Sequence, residues 1–377
     1  MPSDHEQETQ AHPSRRSQRE ARSTSSRLWI AILVTFVVLV AALIVVAVKV
    51  ASTHTKTTGK VAALPGPPGP PATATSHTGA ICPLTGQPAP GGTIPARPAL
   101  AIKVDNYSAA RPQTGINHAD IVFEEPVEGG ITRFVAVFQC HGASLVGPIR
   151  SARLVDVDIL SQLSDPILAN MGGIPPVISA IQNAPIIEEN MLGLGQVIQR
   201  NYNRVPPYNT YASTSALWGL QTSNTTAPAQ LFTYSNTVPS GTPAASVHVP
   251  FSYASDVTWN YDPTTHQYLR YYNGTTPAML SDGTQISAAN IVIQSVRVTY
   301  GPWVENSLGG LEVVSHMLGS GPLTVVRNGV AISGTWQRPS LTSPTVLTAS
   351  DGSTIALQPG NTWVEIVPNT VTVTTAP

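Results

Sequence analysis

The chain has 377 residues, with 20 Lys or Arg against 21 Asp or Glu, and a formal net charge of -1. That balance supplies no basic face for nucleic acid, which binds through its phosphates. A charged fraction of only 11%, beside abundant Thr, Ser, Pro, Gly and Val, suits a strand- and loop-rich extracytoplasmic protein, and the length allows a tail, an anchor, a spacer and two domains.

Residues 1–27 are polar and rich in Ser, Gln, Arg and Glu, the composition of a disordered tail. Residues 28–48 read LWIAILVTFVVLVAALIVVAV, with no charge, Pro or Gly. At 1.5 Å per residue such a helix spans about 30 Å, the thickness of a bilayer core. A soluble helix would carry a polar face, and this one has none. A cleaved signal sequence is the competing assignment, but its apolar core is usually about 7–15 residues and ends in a small-residue cleavage site. Here the run is longer and ends in Lys49 and Val50. Arg15, Arg16, Arg19, Arg22 and Arg27 precede it, against Lys49, Lys56 and Lys60 after it. The positive-inside rule therefore places the N-terminus in the cytoplasm and the bulk of the chain outside, as a single-pass protein of the cell membrane.

Residues 49–80 form a Pro/Gly/Thr-rich spacer containing LPGPPGPPATATSHTG, a composition that favours extended polyproline geometry over a core. Cys82 and Cys140 are the two cysteines. In an oxidising compartment they are a candidate disulfide, with two buried thiols as the alternative. Cys82 lies far beyond the apolar run, so no lipid-attachment signal adjoins it.

Beyond the spacer, 99–105, 120–124 and 131–138 carry strand patterns. In the last, Ile131, Arg133, Val135 and Val137 share one face, and Thr132, Phe134, Ala136 and Phe138 the other. Glu128-Gly129-Gly130 marks a turn that makes the second and third strands neighbours. A helix is expected over 151–163 with Ser151 as its N-cap. A strand follows over 167–171, then helices over 175–183, with proline in the first turn, and 213–220. From about Ser246 the pattern changes to short β-branched and aromatic segments, separated by Asn273-Gly274, Asp282-Gly283, Asn328-Gly329 and Asp351-Gly352. The expected fold class is α+β: a mixed α/β domain over 81–240, a mainly β domain over 246–368, and a tail over 369–377.

Several motifs resemble one family. They are Cys82-Pro83-Leu84-Thr85-Gly86, Ala110-Arg111-Pro112-Gln113-Thr114-Gly115, Ala119-Asp120-Ile121-Val122-Phe123-Glu124, Glu128-Gly129-Gly130-Ile131-Thr132-Arg133-Phe134 and Gly147-Pro148-Ile149-Arg150-Ser151-Ala152-Arg153. Tyr268-Leu269-Arg270, Gly334-Thr335-Trp336 and Pro359-Gly360-Asn361-Thr362-Trp363 continue the match. Together they resemble the YerB-like (DUF3048) family of bacterial envelope proteins over about residues 81–368. The resemblance implies an α/β domain followed by a β-rich one and implies no reaction. Many members look like lipoproteins, from which this chain departs by its apolar helix.

Familiar catalytic arrangements are absent from the sequence: no Gly-x-Ser-x-Gly, His-Glu-x-x-His, Walker loop or Cys-x-x-Cys. No metal site or cofactor is expected. His118 reads as a surface or capping residue, and Cys140-His141 as poorly placed for thiol catalysis, since neighbours on a strand face opposite ways. The tryptophans Trp259, Trp303, Trp336 and Trp363 are best explained by core packing, with sugar stacking as the functional alternative. The informative feature is a concentration of charge in a charge-poor chain. Asp120, Glu124, Glu128, Arg133, Arg150 and Arg153 are candidate binding residues, because arginine forks suit carboxylate or phosphate and the acids could orient them or move protons. The bland alternative is an ion-pair network tying two strands to the first helix. Two function classes remain. One is a non-catalytic envelope module that binds wall polymer or another envelope protein. The other is an enzyme acting on an anionic lipid-linked or wall-polymer substrate through this cluster.

Overall fold

A computed structural model of the protein describes residues 79–377. The expected tail over 1–27, the membrane helix over 28–48 and all but the end of the spacer lie outside the described residues. Among the described residues, no helix is long and apolar enough to cross a membrane.

The first strands are β1 (Leu100–Asp105), β2 (Ile121–Pro126), β3 (Thr132–Phe138), β4 (Ile167–Asn170) and β5 (Ile187–Asn190), followed by the short β6 (Gln199–Arg200), β7 (Thr210–Tyr211) and β8 (Thr242–Pro243). Then come β9 (Ser246–Ser252), β10 (Ser255–Asp262), β11 (Gln267–Tyr272), β12 (Thr276–Pro277) and β13 (Ser287–Ala288). The series ends with β14 (Asn290–Val304), β15 (Leu311–His316), β16 (Gly319–Arg327), β17 (Val330–Arg338), β18 (Val346–Ala349), β19 (Thr362–Pro368) and β20 (Thr374–Ala376). One mixed sheet runs in the order β18-β17-β16-β14-β19-β2-β3-β1-β4-β5. Its centre is the parallel pairing of β19 with β2, so residues from 81–240 and 246–368 share one sheet. A second, antiparallel sheet has the order β12-β11-β10-β9-β20.

The central strands are buried on both faces, as parallel-containing sheets are. Alternation along β3 sends Phe134, Ala136 and Phe138 into one core with Val247, Val249, Trp259 and Tyr268 of the second sheet. It sends Val135 and Val137 into another core with Val155, Ile159 and Leu160 of the Val155–Leu160 helix and Val177 and Ile181 of the Pro175–Gln182 helix. The molecule is thus layered as antiparallel sheet, mixed sheet and helices. Both cores draw on both halves of the chain.

Turn chemistry follows the sequence. Gly129 and Gly130 turn β2 into β3 with φ of 77° and 72°, a region that costs other residues dearly. Asn328 and Gly329 take φ of 51° and 75° between β16 and β17, the two positive values a tight hairpin needs. A disulfide joins Cys82 to Cys140, tethering the segment before β1 to the end of β3.

Two expectations need correction. The first helix begins at Val155, not Ser151. Residues 150–152 are occupied as extended backbone: Arg150 N–H donates to Lys103 O, and Ala152 N–H to Gly172 O. Ser151 Oγ donates to Met171 O instead of capping. The expected tail over 369–377 contains β20, which pairs with β9, because Thr374–Ala376 supplies the backbone groups that edge otherwise lacks.

Trp363 is fully buried and meets Phe134 and Trp259 edge-on at 5.0 and 5.1 Å between ring centroids. Trp363→Ala is expected to lower unfolding free energy by about 3–5 kcal/mol, measured by urea denaturation. A loss under about 1 kcal/mol, the ordinary effect of a point substitution, would show that this contact does not hold the layers together.

Candidate functional site

Glu124 and Glu125 are adjacent on β2 and therefore point to opposite faces of the mixed sheet. Each meets a cation from a different layer. Arg270 reaches Glu124 from β11, with Nη2 2.9 Å from Oε1 and Nη1 2.7 Å from Oε2. Glu365, opposite Glu124 in the β19–β2 register, lies 3.4 Å from the same Nη1 and accepts from Trp259 Nε1 at 2.7 Å. The guanidinium is boxed by the rings of Trp363 at 4.9 Å, Trp259 at 5.2 Å and Phe134 at 5.3 Å. Burial and the Glu124 charge push the Glu365 carboxyl well above the usual range, which favours its neutral form beside the Glu124–Arg270 pair. On the opposite face, Lys103 Nζ donates to Glu125 and, at 2.6 Å, to Asp156 of the helix layer.

The remaining candidates fall into three further places. Asp120 accepts from the main-chain N–H groups of Gln139 and Cys140 and pairs with His141 Nδ1, fixing the chain beside the disulfide. Glu128 takes Arg153 Nε at 2.9 Å and Arg133 Nη2 at 3.4 Å. Arg153 also reaches Glu305 at 3.2 Å, and Arg133 Nη1 donates to Ser151 O. Arg150 pairs with Asp105, its Nε 2.7 Å from Oδ2 and its side chain one quarter exposed, and Asp105 stands opposite Arg133 in the β1–β3 register, so this pair borders the Glu128 cluster.

The six candidates therefore do not converge on one anion pocket. Arg133 and Arg153 do share a carboxylate, as the ion-pair alternative expects, but both are buried. Burial alone would raise the Glu128 carboxyl; the hydrogen bond from Arg153 and the charges of Arg133 and Arg153 outweigh it and hold it down at about 2. Burial, aided by the charge of Arg153, brings Arg133 down to about 10. The helix that follows Gly172-Gly173 starts with Pro175-Pro176, which have no N–H to offer a ligand.

Glu128 also borders a groove of about 380 Å³ between the β2–β3 turn and the β14–β15 hairpin, walled by Pro126, Val127, Phe251, Val298, Leu311 and Val313. With the Glu128 carboxylate turned onto its arginines, the lining is mainly apolar. Among the described residues, no group of three or more His, Cys, Asp or Glu is placed to hold a metal.

Sequence reasoning missed Arg270, Glu365, Lys103 and Asp156. For Arg270 a signal existed: it shares parity with Tyr268 and Tyr272, and all three are buried. A charge on the apolar stripe of a strand points to a partner across the core.

A layered, mixed-sheet protein with ion pairs buried between its layers is the class these observations define. Residues 84–229 match the model "Protein of unknown function (DUF3048) N-terminal domain", and 247–364 match that of its C-terminal domain. The chain belongs to the DUF3048 family. It is 30% identical over 285 residues to "Putative lipoprotein YerB" of Bacillus subtilis (strain 168), covering 72% of this chain and 82% of that one. The crystal structure of YerB from Bacillus subtilis superposes with a TM-score of 0.68 at 25% identity, over 78% of this chain and 100% of that one.

Removing one partner of a buried ion pair strands the other, at a cost of about 3–5 kcal/mol. Arg270→Met is expected to destabilise by that amount, with part recovered on adding Glu124→Gln; denaturation of both variants checks it. Glu128, whose folded carboxyl is depressed from 4.5 to about 2, contributes stability above its unfolded value that is lost as pH falls between the two. Glu128→Gln should flatten the stability profile in that window, and an unchanged slope would contradict the pairing.

Proposed function

We propose that the chain is a membrane-anchored, extracytoplasmic binding module of the cell envelope. Its partner is wall polymer or another envelope protein. The observation that carries this reading is the fate of the charged residues. Glu124, Glu128, Arg133, Arg153 and Arg270 are buried and mutually neutralised, whereas acid–base work requires a group within reach of a substrate proton.

The mode of attachment follows from Cys82. It is engaged with Cys140 and lies beyond the spacer, so a lipid on this cysteine does not fit. The apolar run over 28–48 supplies the anchor, although the Bacillus relative carries the word lipoprotein in its name. Five arginines before the run set its direction.

Protease added to spheroplasts is expected to remove the folded region while a cytoplasmic N-terminal tag stays intact. Full protection of the folded region would refute the topology. Purified full-length protein should retain wall fragments without turning them over. Turnover abolished by a folded Glu128→Gln variant would support the alternative, an enzyme acting on an anionic lipid-linked or wall-polymer substrate.

A further inference from the structure

Arg297 is the exception to the pairing of cations. Among the described residues, every other arginine and Lys103 has a side-chain partner, even Arg97, Arg111, Arg200 and Arg327, which hold carbonyl or amide oxygens. Arg297 is exposed and makes no side-chain hydrogen bond or ion pair among them. Directly opposite in the β14–β15 register stands His316. Opposed residues on antiparallel strands have Cβ atoms about 5 Å apart, where like charges repel. Protonating His316 beside Arg297 is therefore disfavoured, and an anion between the two would offset that cost.

The pair borders a groove of about 260 Å³ also lined by Ser295, Ser320, Trp336 and Asn369, and by no carboxylate. Trp336 Nε1 donates to Ser295 O at 2.8 Å and forms the floor. A Cβ on Gly321 would sit 2.7 Å from both that carbonyl and the indole nitrogen, so glycine is what lets β16 close beneath the groove. His316 Nε2 is held by Thr299 Oγ1 at 2.8 Å, which fixes the ring and leaves Nδ1 for a ligand. Burial and Arg297 lower the His316 pKa, Asp158 from the helix layer opposes them, and Arg338 in turn faces Asp158.

We propose that this groove binds a phosphodiester group. Arg297 supplies the planar fork that suits phosphate oxygens, and His316 the second contact. Ser295, Ser320 and Asn369 meet the hydroxyls of the alcohol units on either side. The inference rests on the reading of the chain as an envelope binding module and names its ligand class. The same chemistry is offered by a polyol-phosphate polymer and by an anionic lipid headgroup.

The test uses the full chain in phosphatidylcholine nanodiscs, titrated with short polyglycerol phosphate and with neutral dextran, beside the same chain exposed to phosphatidylglycerol vesicles. Wild type should bind a phosphodiester source and not dextran, more tightly as pH falls through the His316 titration. Arg297→Gln should weaken binding at least tenfold with an unchanged circular dichroism spectrum, and His316→Gln should remove the pH dependence. Polymer binding identifies a wall ligand and vesicle binding alone a lipid; either supports the site. Wild-type affinity in Arg297→Gln, equal binding of dextran, or no binding to either phosphodiester overturns it. So does vesicle binding that survives Arg297→Gln but is lost in Trp303→Ser, which would assign the contact to apolar insertion of the hairpin. Protease topology is measured separately, so failure here with the folded region outside overturns the site and not the placement.

Discussion

The buried contact of Arg270 with Glu124 and Glu365 is the constraint on which the rest of the architecture depends. It joins the antiparallel sheet to the mixed sheet at the place where the two halves of the chain meet, since Glu124 belongs to β2 and Glu365 to β19. Two carboxyls side by side in an apolar interior cannot both ionise. Burial and the Glu124 charge favour the neutral form of Glu365, which accepts the Trp259 N–H, while the forked guanidinium pairs with Glu124. The surrounding rings add the attraction of aromatic faces for a cation. Such a centre adds little net stability over an apolar one, but it fixes which register of β11 can lie over β2 and β19.

Lys103, Glu125 and Asp156 repeat the device on the other face. One strand, through two adjacent acids, thereby registers both outer layers. The Glu128 cluster does the same at the strand end, where Arg153 and Glu305 link the helix layer to the β14–β15 hairpin. In a chain with few charges, the buried ion pairs are placed where layers meet. Arg297 is conspicuous as the cation the interior does not claim.

Much of the fold was legible. Short apolar and β-branched runs located β1, β2, β3 and β4, the turn glycines paired β2 with β3, and proline marked the start of the Pro175–Gln182 helix. What failed was local reasoning about segments whose backbone is claimed from elsewhere. Ser151 looks like an N-cap, but its stretch is held extended between β1 and the loop after β4. The last residues look like a tail, but they complete an open edge of β9. Charge concentration left two readings open, a pocket and an ion-pair network, and Glu128, Arg133 and Arg153 lie together in a set of buried ion pairs. A sequence displays the density of charge and not its partners, because Glu124 and Arg270 are 146 residues apart.

By itself the sequence determined the apolar run and its flanking arginines, the family, the strand periods and the presence of two cysteines, because each is a local or compositional property. Only tertiary structure decided that the two halves share one sheet, that Cys82 meets Cys140, that the six candidate residues are divided among separate clusters, and that Arg297 is left facing a groove. Those outcomes depend on which distant side chains arrive at one place. Pairing across the core is a property of the assembled layers, since adjacent residues such as Glu124 and Glu125 are sent to opposite faces and to different partners.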